Sequence, residues 1–98
     1  MNMQAMLKQA QKLQNDMLKT QEEINNKTFT GKSSNVTVEF NGKREMLDCK
    51  IDMDAIDKDE IELLQDMLIV AVNDAMNQIN KETESKMGAY TKGMPGLF

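Results

Sequence analysis

The sequence contains no histidine and only one cysteine in 98 residues. The absence of histidine removes the usual general base and a frequent zinc ligand. The single cysteine, Cys49, excludes a disulfide within the chain, which favours a reducing compartment. No Gly-rich phosphate loop, GxSxG motif or pair of CxxC motifs occurs. We therefore expect no enzymatic activity, no cofactor, no metal and no small-molecule substrate.

Long hydrophobic runs are also missing. The longest apolar run, from Met67 to Val72, has six residues, whereas a membrane-spanning helix needs about 20. The first residues lack the apolar stretch of a secretory signal peptide. We expect a cytoplasmic protein that has no membrane partner.

The net charge of −4 is unevenly distributed along the chain. Residues 1–50 hold eight Lys or Arg and six acids, a net of +2, whereas residues 51–98 hold four and ten, a net of −6. A polyanion would therefore have to be bound by a local basic surface. A domain of this size buries only about 60–65% of the surface of its unfolded chain, so dimerisation would enlarge its core.

The N-terminal segment, residues 1–26, is predicted to form a helical arm. It has no glycine or proline, and its apolar residues recur with a period of 3.5, as in a coiled-coil seam. The seam positions are Met3, Met6, Ala10, Leu13, Met17, Thr20 and Ile24. A helix of about 24 residues is roughly 36 Å long, so part of it must project or lie against a partner.

Residues 27–53 are predicted to form a three-stranded antiparallel sheet. Apolar and polar residues alternate over 36–40 and again over 47–53, and Asn41-Gly42 between them is typical of a two-residue hairpin turn. That turn would place Glu39 opposite Arg44 and Val36 opposite Leu47. Cys49 then lies on the apolar face, where we expect it to be buried and inert.

A second helix is predicted over residues 57–87, followed by a flexible tail at 88–98. Asp57 and Glu60 match an aspartate variant of the capping box. A core-facing stripe follows: Ile61, Leu64, Leu68, Ala71, Val72, Ala75 and Ile79. The helix is apolar on all sides from Met67 to Val72, which indicates cover by the sheet and by a second subunit. The order predicts a single α+β domain of two layers.

The first helix carries lysines on the side opposite its apolar seam. Lys8, Lys12 and Lys19 share this face with the amides Gln4 and Gln11. Such a face, near the positive end of the helix dipole, is suited to phosphate groups. The residues alone favour the alternative interpretation, an ordinary solvated helix surface.

Several short stretches, taken together, point to one family. They are 6–14 (MLKQAQKLQ), 36–38 (VTV) followed by Asn41-Gly42, Ile51-Asp52, 72–75 (VNDA), Lys86-Met87 and 93–95 (GMP). In this order and spacing, the sequence resembles the YbaB/EbfC family of bacterial nucleoid-associated proteins over nearly its whole length.

The resemblance implies a homodimer in the cytoplasm and nucleoid that joins its sheets and holds out its long helices like tweezers. It also implies binding of double-stranded DNA with little sequence preference, with an influence on gene expression. The DNA contacts carried over to this chain are Lys8, Lys12, Lys19, Lys81 and Lys86, with Gln4 and Gln11. The dimer interface is expected at Leu68, Val72, Val38 and Ile51. Asn73 is expected to make a structural polar contact with the sheet or the partner.

A second hypothesis is a protein-interaction module, in which the Met-rich face of the first helix (Met3, Met6 and Met17) docks on a partner helix. A helix lying on a membrane surface is disfavoured, because the first helix has few basic residues and no aromatic anchor.

Overall fold

An N-terminal helix, a three-stranded sheet and a C-terminal helix follow one another in the computed structural model, which describes residues 2–54 and 57–93. The elements are α1 (Met3–Asn26), β1 (Phe29–Ser33), β2 (Val36–Phe40), β3 (Met46–Ile51), a short 3-10 helix (Lys58–Glu60) and α2 (Ile61–Gly93). The sheet is antiparallel, in the order β1-β2-β3. The predicted α+β fold class is confirmed.

The core lies between α2 and the first two strands of the sheet. The buried apolar residues are Ile24, Phe29, Val36, Val38, Phe40, Met67, Ala71, Ala75, Ile79 and Met87. The helix rests directly on β1 at Gly31, where a Cβ atom would lie 2.0 Å from the carbonyl oxygen of Ala71. Within the described residues, α2 packs on β1 and β2 but does not reach β3. One strand of the sheet therefore has no helix over it.

Side chains of α2 cap the free edge of β1. Asp74 Oδ2 accepts a hydrogen bond from the backbone N–H of Lys32 at 3.1 Å, and Gln78 Nε2 donates one to the carbonyl oxygen of Thr30 at 2.7 Å. These bonds satisfy backbone groups that an edge strand would otherwise expose. The polar contact with the sheet is thus made by Asp74, whereas Asn73, for which we expected it, is exposed.

The predicted register of the β2–β3 hairpin is wrong. Val36 lies opposite Ile51, rather than Leu47, and Glu39 lies opposite Asp48, rather than Arg44. The chain needs a longer loop because the Asn41 side chain binds the loop backbone and an irregularity at Phe40 displaces the strand. The shift is an even number of residues, so apolar residues still share one face.

Cys49 is exposed, contrary to the prediction of a buried thiol. It lies opposite Val38, so its side chain is on the same face of the sheet as the core. Every residue of β3 is nevertheless exposed, since α2 covers β2 and stops short of this strand. The alternation identified the apolar face correctly, but this part of it is uncovered.

α1 is packed at its C-terminal end and projects at its N-terminal end. Ile24 is buried and Met17 is half-buried, but Met3 and Met6 are exposed. The described part of α1 packs against α2, and the Thr20 and Tyr90 hydroxyl groups lie 3.2 Å apart. The molecule is consequently elongated, with principal extents of 71 × 20 × 14 Å.

α2 begins later and ends later than predicted. The 3-10 helix precedes it, and Asp57 makes no side-chain capping bond, so the predicted capping box is absent. The helix continues to Gly93, because Met87 and Tyr90 pack on α1 and the core. The predicted flexible tail is therefore wrong for residues 88–93, and its remainder, 94–98, lies outside the described residues.

Candidate nucleic-acid interface

The three lysines of α1 form a stripe on the exposed side of the helix. Lys8, Lys12 and Lys19 are all exposed. Their spacing of four and seven residues places them within about 40° of one another around the helix axis. In the described part of the chain, none of them pairs with a carboxylate. The stripe thus presents three lysines without an ion-pair partner, although α1 also carries three acids, Asp16, Glu22 and Glu23.

The N-terminal half of this stripe is the more strongly cationic. Gln4 and Gln11 are exposed beside it, and no acidic residue occurs before Asp16. Asn2 caps the helix by accepting a hydrogen bond from the backbone N–H of Gln4. Farther along, Lys19 shares a shallow groove with Glu22 and Glu23. Lys8 and Lys12 therefore lie in the more positive field.

The predicted contacts on α2 differ from each other. Lys86 Nζ lies 2.7 Å from Glu82 Oε1, and Lys27 Nζ lies 3.0 Å from the same oxygen. The hydrogen bonds from Lys86 and Lys27 hold the pKa of Glu82 below its ordinary value, and the bond to Glu82 raises the pKa of Lys86. Lys81 is exposed and, among the described residues, forms no ion pair. The charge of Lys86 is thus partly compensated by a carboxylate, whereas that of Lys81 is not paired within the described residues.

Two further cations, Lys43 and Arg44, were missed by the sequence reasoning. Both are exposed in the loop between β2 and β3. The predicted two-residue turn places them in a strand, with Arg44 opposite Glu39. The signal that would have identified them is an adjacent Lys-Arg pair directly after Asn41-Gly42.

The acidic residues gather at the opposite end of the molecule. Seven acids and one lysine occur between residues 52 and 66. This segment precedes the part of α2 that lies on the sheet, and α2 then runs toward the arm. Within the described residues, these acids do not form a group of three or more that could hold a metal ion. A bound polyanion would approach the arm end of the molecule and be repelled by the other end.

The residues expected at the dimer interface are placed in two different environments. Ile51 is 39% exposed, on the uncovered face of β3, and Leu68 and Val72 are half-buried on α2. Val38, by contrast, is fully buried in the core of its own chain, because α2 covers β2. A second copy would meet Ile51 and its neighbours rather than Val38.

No helix in residues 2–54 and 57–93 has both the length and the hydropathy that a bilayer-spanning helix requires.

Comparison with known proteins gave three consistent findings. A family model described as the YbaB/EbfC DNA-binding family matches residues 1–94. A nucleoid-associated protein of Lactococcus lactis subsp. cremoris (strain MG1363) is 57% identical over 97 residues, which cover 97% of this chain and 98% of that protein. One of Enterococcus faecalis (strain ATCC 700802 / V583) is 52% identical over 98 residues, covering 98% and 94%.

A solved structure shares the fold. The crystal structure of the uncharacterized protein HP0035 from Helicobacter pylori superposes with a TM-score of 0.72 and 22% sequence identity, covering 94% of this chain and 97% of that one.

Proposed function

The chain belongs to the YbaB/EbfC DNA-binding family, and we propose that it acts as a homodimer whose helical arms bind double-stranded DNA. The observation that carries this proposal is the lysine stripe on the projecting part of α1, which has no carboxylate partner in the described residues. Because relatives at 52% and 57% identity are named nucleoid-associated proteins, we propose the nucleoid as its location and an influence on gene expression.

The arm is suited to phosphates rather than to base edges. Lys8 and Lys19 are separated by about 16 Å along the helix axis, so the stripe can follow a DNA backbone over several phosphates. Phosphate contacts position a protein on DNA without reading its sequence. The arm has no arginine, the residue that most often reads guanine. Little sequence preference follows from this composition.

The proposed dimer forms through β3. Asp74 and Gln78 cap the β1 edge of the sheet, which leaves β3 as the edge available for pairing. The same strand exposes Met46, Cys49 and Ile51 on its apolar face. An open edge beside an uncovered apolar face is a typical interface between copies of one chain. The second copy would also double the number of lysines offered to DNA.

A titration of fluorescent duplex DNA at several salt concentrations tests this function. Two or three phosphate contacts per arm make four to six per dimer, so the arms alone should give a slope of log K against log salt of about −4 to −5. Replacing both Lys8→Glu and Lys12→Glu should weaken binding by at least about 100-fold while the dimer persists.

The matched control makes the same change in charge at the other end of the molecule. Lys32→Glu with Lys58→Glu should leave the affinity within a few-fold of the wild type, because these residues lie away from the arm. Failure of the wild-type protein to bind DNA even at low salt would reject the proposed function.

A protein-interaction module remains the second candidate because part of the Met-rich face is uncovered. Met3 is 77% exposed and Met6 is 53% exposed, whereas Met17 is half-buried at the α1–α2 contact. Replacing Met3→Gln and Met6→Gln distinguishes the two functions, since DNA binding should be unaffected. A stoichiometric protein recovered after nuclease treatment by the wild type, but not by this variant, would favour the module.

A further inference from the structure

The loop between β2 and β3, residues 41–45, is docked on the end of α1. The backbone N–H of Gly42 donates a hydrogen bond to the carbonyl oxygen of Asn25 at 3.2 Å. A Cβ atom at Gly42 would lie 2.0 Å from the carbonyl oxygen of Ile24, so only glycine fits this close approach. The loop therefore lies at the base of the arm.

Hydrogen bonds within the loop hold its backbone in one conformation. Asn41 Oδ1 accepts from the backbone N–H groups of Lys43 and Glu45, each at 3.0 Å. Arg44 has a φ of 68°, in the left-handed region that residues other than glycine and asparagine rarely adopt. Its backbone N–H donates to the carbonyl oxygen of Asn41 at 3.0 Å, which helps to keep it there.

The two cations of this loop are exposed, and carboxylates do not neutralise them. Arg44 Nη2 donates to Asn80 Oδ1, which is a neutral acceptor. Glu45 Oε1 accepts a hydrogen bond from the Asn41 amide. In the described residues, neither Lys43 nor Arg44 forms an ion pair. The Arg44 guanidinium and the backbone of Lys43 are consequently held in place, and both positive charges are available to an anion.

We propose that Lys43 and Arg44 form a second phosphate-binding site for DNA at the base of each arm. Arg44 is the only arginine of the chain, and its planar guanidinium suits bidentate bonding to a phosphate. Because the loop is already ordered, little conformational freedom is lost when it binds. This inference rests on the proposed function, and it extends the contact surface beyond the helices.

The position of the loop in the fold supports this role. Phe40, just before the loop, pairs with Phe29, which follows α1 closely in the chain. The loop is thus at the end of the sheet from which the arm departs. Asn25, which it contacts, lies about 9 Å along the helix axis from Lys19 of the stripe. Asn25 is also rotated about 120° from Lys19 around that axis, so the loop offers DNA a contact at the arm base that is separate from the stripe.

The test replaces the two cations while keeping the loop conformation. Arg44→Asn is chosen because asparagine tolerates the left-handed backbone, and it is combined with Lys43→Gln. We expect the variant to bind duplex DNA at least about tenfold more weakly. The magnitude of the salt slope should fall by about 2 to 4 per dimer, since each lost phosphate contact contributes about 0.9. Thermal unfolding followed by circular dichroism verifies that the variant is folded.

Two controls separate a local contact from other effects. Lys32→Gln with Lys58→Gln removes the same charge elsewhere and should keep the affinity and the slope of the wild type. Asn80→Ala removes the partner of the Arg44 guanidinium but retains both cations, so binding should persist. An equal loss of affinity in either control would overturn the proposal, because net charge or loop structure would then explain the effect.

The outcomes for the inference and for the proposed function differ. If the wild-type protein does not bind DNA at low salt, both the proposed function and the loop site are rejected. Wild-type protein that binds, loses binding on replacement of Lys8 and Lys12, and is unaffected by the loop variant overturns the loop site alone.

Discussion

At the scale of single residues, Glu82 has the largest number of charged contacts in the described structure. Its carboxylate accepts from Lys27 at the end of α1 and from Lys86 one turn later on α2. Lys27 also lies over the ring of Phe29, 5.6 Å from its centroid. Because these groups are partly exposed, their contribution to stability is small. Their main consequence is that Glu82 partly compensates the positive charges of Lys27 and Lys86.

We predict that Glu82→Gln binds DNA more tightly than the wild type. The substitution releases Lys27 and Lys86 from their shared carboxylate, and the affinity should rise roughly two- to tenfold at low salt. Fluorescence anisotropy with labelled duplex DNA measures the affinity of each variant. The control is Glu84→Gln, which changes the charge equally but has no ion pair among the described residues. An equal increase in both variants would show that only net charge matters.

The same carboxylate should make stability depend on pH in a defined direction. The pKa of Glu82 is lowered from 4.5 in the folded chain, so its stabilisation is present above that value and is lost as the pH falls through the folded pKa. The pKa of Lys86 is raised from 10.5, so its contribution is present below that value and is lost at higher pH. The melting temperatures of the wild type and Glu82→Gln should differ by a few degrees at most at pH 7 and converge at strongly acidic pH. A gap that stays constant over the acid range would contradict this assignment.

At the scale of secondary-structure elements, the two edges of the sheet differ. The β1 edge is capped by two α2 side chains from positions four residues apart, which face the same way on a helix. Within residues 2–54 and 57–93, the β3 edge has no such cover from α2. An exposed edge strand invites pairing with another chain, so closing one edge restricts where a second copy can add.

Removal of the cap should both destabilise the chain and open a second edge. Asp74→Ala with Gln78→Ala leaves two backbone groups of β1 without their partners, and we expect a loss of about 1–3 kcal/mol in the free energy of unfolding. Urea denaturation measures this loss, and size-exclusion chromatography should show larger assemblies. Asn73→Ala with Asn77→Ala, which changes exposed neighbours, should leave both measurements near those of the wild type. If the two double variants had the same free energy of unfolding and the same assembly size, the cap on β1 would have no effect on either.

At the scale of the whole molecule, charge and shape are polarised along the same axis. The lysine arm is at one end, the acidic segment 52–66 is at the other, and the sheet with its uncovered strand lies between them. A dimer formed through β3 would bury the apolar face while leaving both arms exposed to solvent. The proposed interface and the proposed DNA site therefore do not compete for the same residues.

Disruption of β3 should convert the proposed dimer into a monomer and weaken DNA binding. Cys49→Lys with Ile51→Lys places two charges on the uncovered apolar face, and sedimentation should then detect a single-copy species. The magnitude of the salt slope should fall by about half, because half of the phosphate contacts are lost. Lys50→Gln, on the other face of the same strand, is the control and should remain a dimer. A double variant that still sediments as a dimer would refute the β3 interface.

Much of the fold was predictable because it depends on local patterns. The seam of α1 and the apolar alternation of the strands predicted the order of elements and the α+β class, and the observed bounds of α1 differ little from the predicted ones. The candidate site was predictable in part, since the helical positions of Lys8 and Lys12 follow from their spacing alone. Lys43 and Arg44 are marked in the sequence only as an adjacent basic pair, because their position at the arm base depends on a loop that is docked on α1.

The sequence by itself determined which segments are helical or extended, which faces are apolar, and where the lysines lie on the arm. These properties depend on neighbours within a few residues. Only the tertiary structure decided the hairpin register, the end of α2 at Gly93, the uncovered face around Cys49 and the pairing of Lys27 with Glu82. Each of these outcomes depends on whether a distant element covers or contacts the residue, as Glu82 contacts Lys27 across 55 positions of the chain. Such contacts arise only when the whole chain packs together.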